Sequence, residues 1–310
     1  MINTITLNPA IDVILFMPEF VRNQTNRTTK IARTMGGKGT HVSMNLSIMN
    51  VASRAFGFAY GQTGQEIVEM LRESGVVPHF IQGEGNESRT NYMLVEERTA
   101  DSTLVSNKGP QPSMDEYDRF CDLVTKTVEP GDLLALAGDA SNFTDPLVYN
   151  HLLTALEDKR LRVILDASGP SFKACVEKRP FLVKPNRDEL SQWFGQDLTT
   201  QPEYIRAIAK LDTLGVEVVA LSLGGDGSLV KAKDRLFQVK PPKVKVYNTV
   251  GCGDCYLAGL LRGFERNEAL EDILRYATAA SAACAESPLS VGFDPERALS
   301  LMESVTIRCI

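Results

Sequence analysis

The sequence predicts an α/β protein with a mainly parallel central sheet, covered by helices, and a smaller β-sheet beside it. Three observations point there. Apolar runs of strand length alternate with longer segments of helical period over most of the 310 residues, which is how a parallel sheet covered on both faces reads. Polar and glycine-rich stretches follow the apolar runs, where ligands gather in a doubly wound sheet. Two regions, 11–35 and 88–105, break the alternation. Each reads as a pair of strands joined by polar turns, with no helix between them.

The elements follow in order. "INTITL" (2–7) is an opening strand, and "GTHVSMNLSIMNV" (39–51) carries apolar residues at helical spacing after a glycine-rich entry. "ASRAFGFAYG" (52–61) reads as a strand and its exit, and "GQEIVEMLRESGV" (64–76) as an amphipathic helix stopped at Gly75. "DEYDRFCDLVTKTV" (115–128) is a further helix. "GDLLALAG" (131–138), "LRVILDAS" (161–168), "PFLVK" (180–184) and "VEVVALSLG" (216–224) are buried strands separated by helix-like segments. "PPKVKVYNTV" (241–250) is the last strand-like segment, and "EDILRYATAASAACAES" (271–287) a late, alanine-rich helix. Regions 11–35 and 88–105 are expected to form a small sheet over the main one, within a single domain spanning 1–310.

Composition narrows the function. With 43% hydrophobic and 23% charged residues the chain has an ordinary globular composition. A net charge of -6 gives no electrostatic support for nucleic-acid binding. The N-terminus lacks a basic stretch followed by an apolar core, and the longest apolar runs are interrupted by Asp, Arg or Glu. No signal peptide and no membrane span are expected, and the location expected is cytoplasmic. In that compartment the six cysteines are not expected to be disulfide staples. Cys252 and Cys255 form one C-x-x-C, but His41, His79 and His151 stand alone, so a zinc site lacks its other ligands.

Polar groups that could do chemistry fall at strand ends. Asp12 follows the first strand, Asp139 follows "LLALAG", and Asp166 closes "RVILD". Lys184 and Asn186 follow "PFLV", and Ser222, Gly224, Gly225 and Gly227 follow "VVAL". Polar turns explain any one of these and explain all of them together poorly. "GGKG" (36–39) sets a lysine among glycines before a helix, which suits an anion, although alone it is a weak pattern. "VGCGDC" (250–255) points successive N–H groups and the positive end of a helix dipole at one spot, with a carboxylate beside it. An anion hole next to a base suits attack by a hydroxyl on a phosphoryl group. A plain helix cap at Asp254 is the simpler alternative.

In this order the motifs resemble those of the ribokinase-like, PfkB-type carbohydrate kinases, and within them the hexose-phosphate branch. "TLNPAID" (6–12) resembles the opening signature of that branch, and "GGKGTHV" (36–42) is similar to its G-G-K-G-x-N-V. "VILDASG" (163–169), "FLVKPNRDEL" (181–190) and "SLGGDG" (222–227) come in the expected places, and "NTVGCGDCYLAG" (248–259) is similar to the closing signature. The resemblance implies a three-layer ribokinase-like fold with a β lid from about 11–35 and 88–105, which in this family often makes a homodimer. It implies Asp254 as catalytic base and Gly251, Cys252 and Gly253 as the anion hole. Lys184, Asn186 and Glu189 would serve the phosphates of ATP and, indirectly, Mg2+. Ser222, Gly224 and Gly227 would line the nucleotide, with Ser281 near the adenine. Asp12, Gly37 and Lys38 would hold the sugar, with Lys38 and Arg89 near its phosphate.

Some positions depart from the pattern. His41 stands where the family has a sugar-binding Asn, Asp139 where it has Ser, and Ser281 where it has Gly. "ESPLSVGF" (286–293) lacks the usual G-T-G. Fructose 1-phosphate is the leading substrate and tagatose 6-phosphate the runner-up. A sugar-phosphate-binding regulator that has lost turnover is the alternative from another class, against which the intact Asp254 argues. The two thiols of the C-x-x-C are incidental to a phosphate cradle on this reading. The helix start would favour a reactive thiolate at Cys252.

Overall fold

The computed structural model describes every residue except Ala100 and Asp139. Its first half runs β1 (Ile2–Thr6), β2 (Ala10–Met17), β3 (Lys30–Gly36), α1 (Lys38–Ile48), β4 (Ser53–Tyr60), α2 (Gly61–Glu73), β5 (Val77–Gly83), β6 (Arg89–Glu96), β7 (Ser102–Val105), α3 (Met114–Thr127) and β8 (Leu133–Ala137). The second half runs α4 (Val148–Ala155), β9 (Arg162–Asp166), α5 (Gly169–Val176), β10 (Leu182–Val183), α6 (Arg187–Phe194), α7 (Gln201–Thr213), β11 (Val218–Ser222), β12 (Ser228–Ala232), β13 (Arg235–Lys240), α8 (Cys252–Glu265), α9 (Leu270–Ala285), α10 (Pro295–Leu301) and β14 (Thr306–Cys309).

Ten strands form one sheet in the order β14-β13-β12-β11-β10-β9-β8-β1-β4-β5. From β11 to β5 every pairing is parallel. The strands are continuously apolar because both faces are covered. On β8, Leu133 and Ala135 pack against α1, α8 and α9, whereas Leu134 and Leu136 pack against α3, α4, α5 and α7. Period-two alternation thus sends neighbouring residues into different cores.

The four strands of 11–35 and 88–105 form a separate sheet in the order β3-β2-β6-β7. Its central pair, β2 and β6, is parallel, and each outer strand is antiparallel to its neighbour. On β2, Ile11 and Val13 face α2, while Asp12 and Ile14 face the opposite way. The predicted second sheet is therefore present, with its polar residue on the side of the strand ends.

The structure corrects the sequence reading at one place and adds to it at another. Residues 241–250 form no strand. Pro241 and Pro242 remove two N–H donors where a ladder would begin, and the chain crosses as coil to α8. Beyond β11 the sheet continues antiparallel through β12, β13 and β14. "SLGGDG" is the hairpin turn between β11 and β12, with Ser222 paired to Ser228.

Candidate active site

The carboxyl ends of β1, β9, β10 and β11, the starts of α1, α6 and α8, and the inner face of the small sheet enclose a cavity of about 780 Å³. Its walls include Asp12, Gly37, Lys38, His41 and Arg89 on one side, and Lys184, Asn186, Glu189, Ser222 and Gly224 on the other. Gly251, Gly253 and Asp254 lie between them. Gly227, Ser281 and the thiol of Cys252 do not line it. Asp139 lies outside the described residues, although Gly138 before it is at the wall.

The cradle is built by a backbone that only glycine accepts. Gly251 precedes α8 at φ +82°, and a Cβ there would collide with the carbonyl oxygen of Ser290. Among the described residues, the N–H groups of Gly251 and Gly253 meet no acceptor, and the positive end of the α8 dipole lies at the same spot. The side chain of Asp254 is 10% exposed and is held through Oδ2 by His41 Nδ1 at 2.8 Å. Ser281 donates to the carbonyl of Cys252 at 2.9 Å, so it supports the turn from behind. Gly36 allows the equivalent approach at α1: a Cβ there would meet the carboxylate of Asp12.

Two lysines meet on one buried carboxylate. Lys38 and Lys184 each place Nζ 3.0 Å from Asp166, whose side chain is fully buried at the end of β9. Lys38 also lies 3.2 Å from Glu189. Burial would push Asp166 up, but the charges of Lys184 and Lys38 more than offset it and hold the carboxyl below its usual value. For Lys38, burial opposes the charge, and Asp166, Glu189 and Asp254 overcome it, so the ammonium holds its proton more firmly than usual. Glu189 also closes the capping box of α6: its carboxylate accepts from the Asn186 N–H at 2.9 Å, and Asn186 Oδ1 accepts from the Glu189 N–H at 2.8 Å. Among the described residues no group of three or more His, Cys, Asp or Glu could hold a metal unaided. The oxygen donors of Glu189 and Asn186 on the cavity wall fit magnesium carried mainly by phosphates.

On the opposite wall, Asp12 accepts from Asn91 at 2.8 Å and from Ser290 at 3.3 Å. Burial raises its carboxyl above the usual value, against the lowering effect of His41, Asn91, Ser290 and Arg89. Arg89 donates to the carbonyl of Asn8 at 3.1 Å and to Ser106 at 3.4 Å. The sequence reading marked Asp166 as a strand-end polar group without a specific role, and did not single out Asn91 or Ser290. Asn91, a polar residue in an apolar strand, was the available signal for one of them.

The thiol of Cys252 differs from its expectation. It is half-buried, and the neighbouring Cys284, burial and the charge of Asp254 all push it well above an ordinary cysteine. A helix start does not make it a thiolate here.

A cradle of unpaired amides, a carboxylate at its edge and two fixed ammonium groups can bring a hydroxyl and a phosphoryl group together. That is the equipment of a kinase. The pfkB family carbohydrate kinases match residues 5–296, and the chain belongs to that family. It is 34% identical over 287 residues to the 1-phosphofructokinase of Bacillus subtilis strain 168, covering 93% of each chain. It is 29% identical over 282 residues to the tagatose-6-phosphate kinase of Staphylococcus epidermidis, covering 90% of each. Phosphofructokinase-2 of Escherichia coli, solved in complex with substrates and products, superposes with a TM-score of 0.92 at 24% identity, covering 98% of each chain. That match bears on the fold, which is ribokinase-like.

Proposed function

We propose that the chain transfers the γ-phosphoryl group of ATP to a hydroxyl of a ketohexose monophosphate, with fructose 1-phosphate as acceptor and fructose 1,6-bisphosphate as product. The observation that carries this is Asp254 at the edge of the α8 cradle. The 34% identical relative supports fructose 1-phosphate over tagatose 6-phosphate.

In this reading, Asp12 orients the sugar through its hydroxyls and Arg89 grips the phosphate the sugar already carries. The amides of Gly251 and Gly253 hold the transferring phosphoryl group, and Asp254 takes the proton from the attacking hydroxyl. Lys184 and Lys38, fixed by Asp166, neutralise charge on the phosphates. Lys38 then sits nearer the transferred group than the sugar's own phosphate, since its ammonium points to Asp166 and Glu189. Ser222 and Gly224 line the nucleotide side. Glu189 and Asn186 would help hold magnesium, which would supply further neutralisation of charge on the phosphates. The small sheet is a lid over the sugar within a single kinase domain, and a second copy of the chain covers that sheet. The reaction belongs in the cytoplasm, where ATP is available; among the described residues no helix is long and apolar enough to cross a membrane.

A coupled assay of ADP release across a panel of ketose monophosphates tests this, with wild type beside Asp254→Asn. Turnover should be highest with fructose 1-phosphate and fall roughly 100-fold or more in the variant, while ATP still binds. Wild-type turnover in Asp254→Asn would overturn the assignment of the base. Highest turnover with tagatose 6-phosphate would replace the acceptor, and ATP-independent binding alone would make the chain a sugar-phosphate sensor.

A further inference from the structure

His41 is an imidazole in the cavity wall that meets two acceptors. Nε2 lies 2.7 Å from the carbonyl oxygen of Met35 on β3, and Nδ1 lies 2.8 Å from Oδ2 of Asp254 on α8. A carbonyl oxygen only accepts, so Nε2 carries a hydrogen. An ionised carboxylate also only accepts, so Nδ1 must carry one as well. The ring is then an imidazolium, buried to 4% side-chain exposure.

Its surroundings favour that charge. From β2, Asp12 brings Oδ2 to 3.9 Å of Nε2. From α8 comes Asp254, and from β3 only the Met35 carbonyl. From the segment ahead of α10, Ser290 donates to Asp12 and approaches the same carbonyl at 3.5 Å. The nearby cations are engaged elsewhere: Lys38, one turn earlier on α1, and Lys184, after β10, are bonded to Asp166, and Arg89 on β6 lies on the side of Asp12 and Asn8. Burial alone would push His41 down. The hydrogen bond and charge of Asp254, then the charge of Asp12, keep it above the ordinary 6.5.

We propose that His41 is a positioning residue for phosphoryl transfer. As a buried imidazolium it holds Asp254 by Oδ2, leaves Oδ1 to face the substrate hydroxyl, and ties the base on α8 to the backbone of β3 and to Asp12 on β2. The inference rests on the base assignment made above. As the sugar oxygen bonds to the γ-phosphorus, the bond from that phosphorus to the bridging oxygen of ADP breaks. The hydroxyl proton passes to Oδ1, and His41 keeps both its hydrogens throughout. Because both ring nitrogens are spent, His41 offers the sugar no polar atom, unlike the Asn expected from the family pattern. The sign of the pH dependence follows. The folded-state value lies above 6.5, so the grip on Asp254 is complete below that pH and is lost as pH rises through the folded value.

Two measurements test this. In protein labelled with nitrogen-15 at histidine, both ring nitrogens of His41, identified by their loss in His41→Asn, should be protonated at pH 6 without substrate. A bare Nδ1 there would overturn the proposal, and this measurement needs no turnover, so it stands apart from the choice of acceptor sugar. In kinetics with the acceptor that the panel identifies, wild-type kcat should fall on the alkaline side. His41→Leu, which cannot donate to Asp254, should lose roughly 100-fold in kcat with the KM for ATP within about twofold. His41→Asn donates through its amide but cannot titrate, so it should lose only about tenfold and show no alkaline fall attributable to position 41. If His41→Leu raised only the KM for the sugar and kept the wild-type pH profile, His41 would be a sugar contact and the proposal wrong. Should His41→Leu not fold, His41→Asn and the nitrogen-15 spectrum still decide.

Discussion

Cys252 acquires its chemistry from three neighbours. Its thiol donates to the carbonyl of Asn248 at 3.6 Å and lies near Cys284 and the charge of Asp254. A thiolate would lose the bond to that carbonyl and face the charge of Asp254, which outweighs the pull of a helix start. Cys175, Cys255 and Cys284 are buried, and burial pushes Cys175 up to about 12. Cys309, near the C-terminus on β14, is the exposed cysteine. An alkylating reagent should therefore label Cys309 well before Cys252. A time course read by mass spectrometry of proteolytic peptides checks this, and faster labelling of Cys252 would mean that its bond to the Asn248 carbonyl does not persist in solution.

Among the elements, the start of α8 concentrates the most demands on one backbone position. Gly251, on the cavity wall, must adopt φ +82°, lie against the Ser290 carbonyl and leave its N–H without an acceptor among the described residues. Gly251→Ala adds strain of about 1–3 kcal/mol, before counting the displaced Ser290 segment. Denaturant unfolding should show a loss of at least that size, and kcat should drop by more than tenfold as the cradle shifts, while the remote strands keep their circular dichroism. A stable, fully active Gly251→Ala would mean that the cradle does not hold the phosphoryl group. This turn was legible in the sequence because glycines around an Asp before an apolar run have few other uses. The parallel strands were legible too, since burial on both faces leaves an unbroken apolar run such as "LLALA". What escaped were elements with weaker local signals. β12, β13 and β14 are short and half polar, with Lys231, Arg235 and Arg308 among their residues. The 241–250 segment has the alternating Val and Lys of a strand, but two prolines decide against it. The contacts of Asp12 with Asn91 and Ser290, and of His41 with Asp254, span 79, 278 and 213 residues. No local pattern encodes them, and only the assembled fold brings them together.

At the scale of the whole molecule, the small sheet is covered unequally. Its inner face carries Asp12, Asn91 and Met93 over the cavity. On the other face, Ile11 and Val13 are buried near α2, yet Ile31, Tyr92 and Val105 are 61%, 45% and 52% exposed. Register places the last three on that same face, since Ile31 pairs with Leu15, and Tyr92 pairs with both Val13 and Val105. Apolar residues grouped on a β-sheet mark a surface that gains by being covered. A second copy, bringing the same patch by two-fold symmetry, would cover it without any new chemistry. Sedimentation at assay concentration should then give the mass of two chains. Tyr92→Asp with Val105→Asp would bury two like charges against their symmetry mates, at a cost of several kcal/mol, and should yield single chains. Because the same sheet carries Asp12 on β2, and β6 carries Arg89 and Asn91, the separated chains should bind the sugar phosphate at least tenfold more weakly and ATP nearly as before. A wild-type protein that sediments as one chain would leave the exposed patch without this partner and the sheet self-supporting. If the charged variant remained a dimer, the interface would lie elsewhere on the molecule.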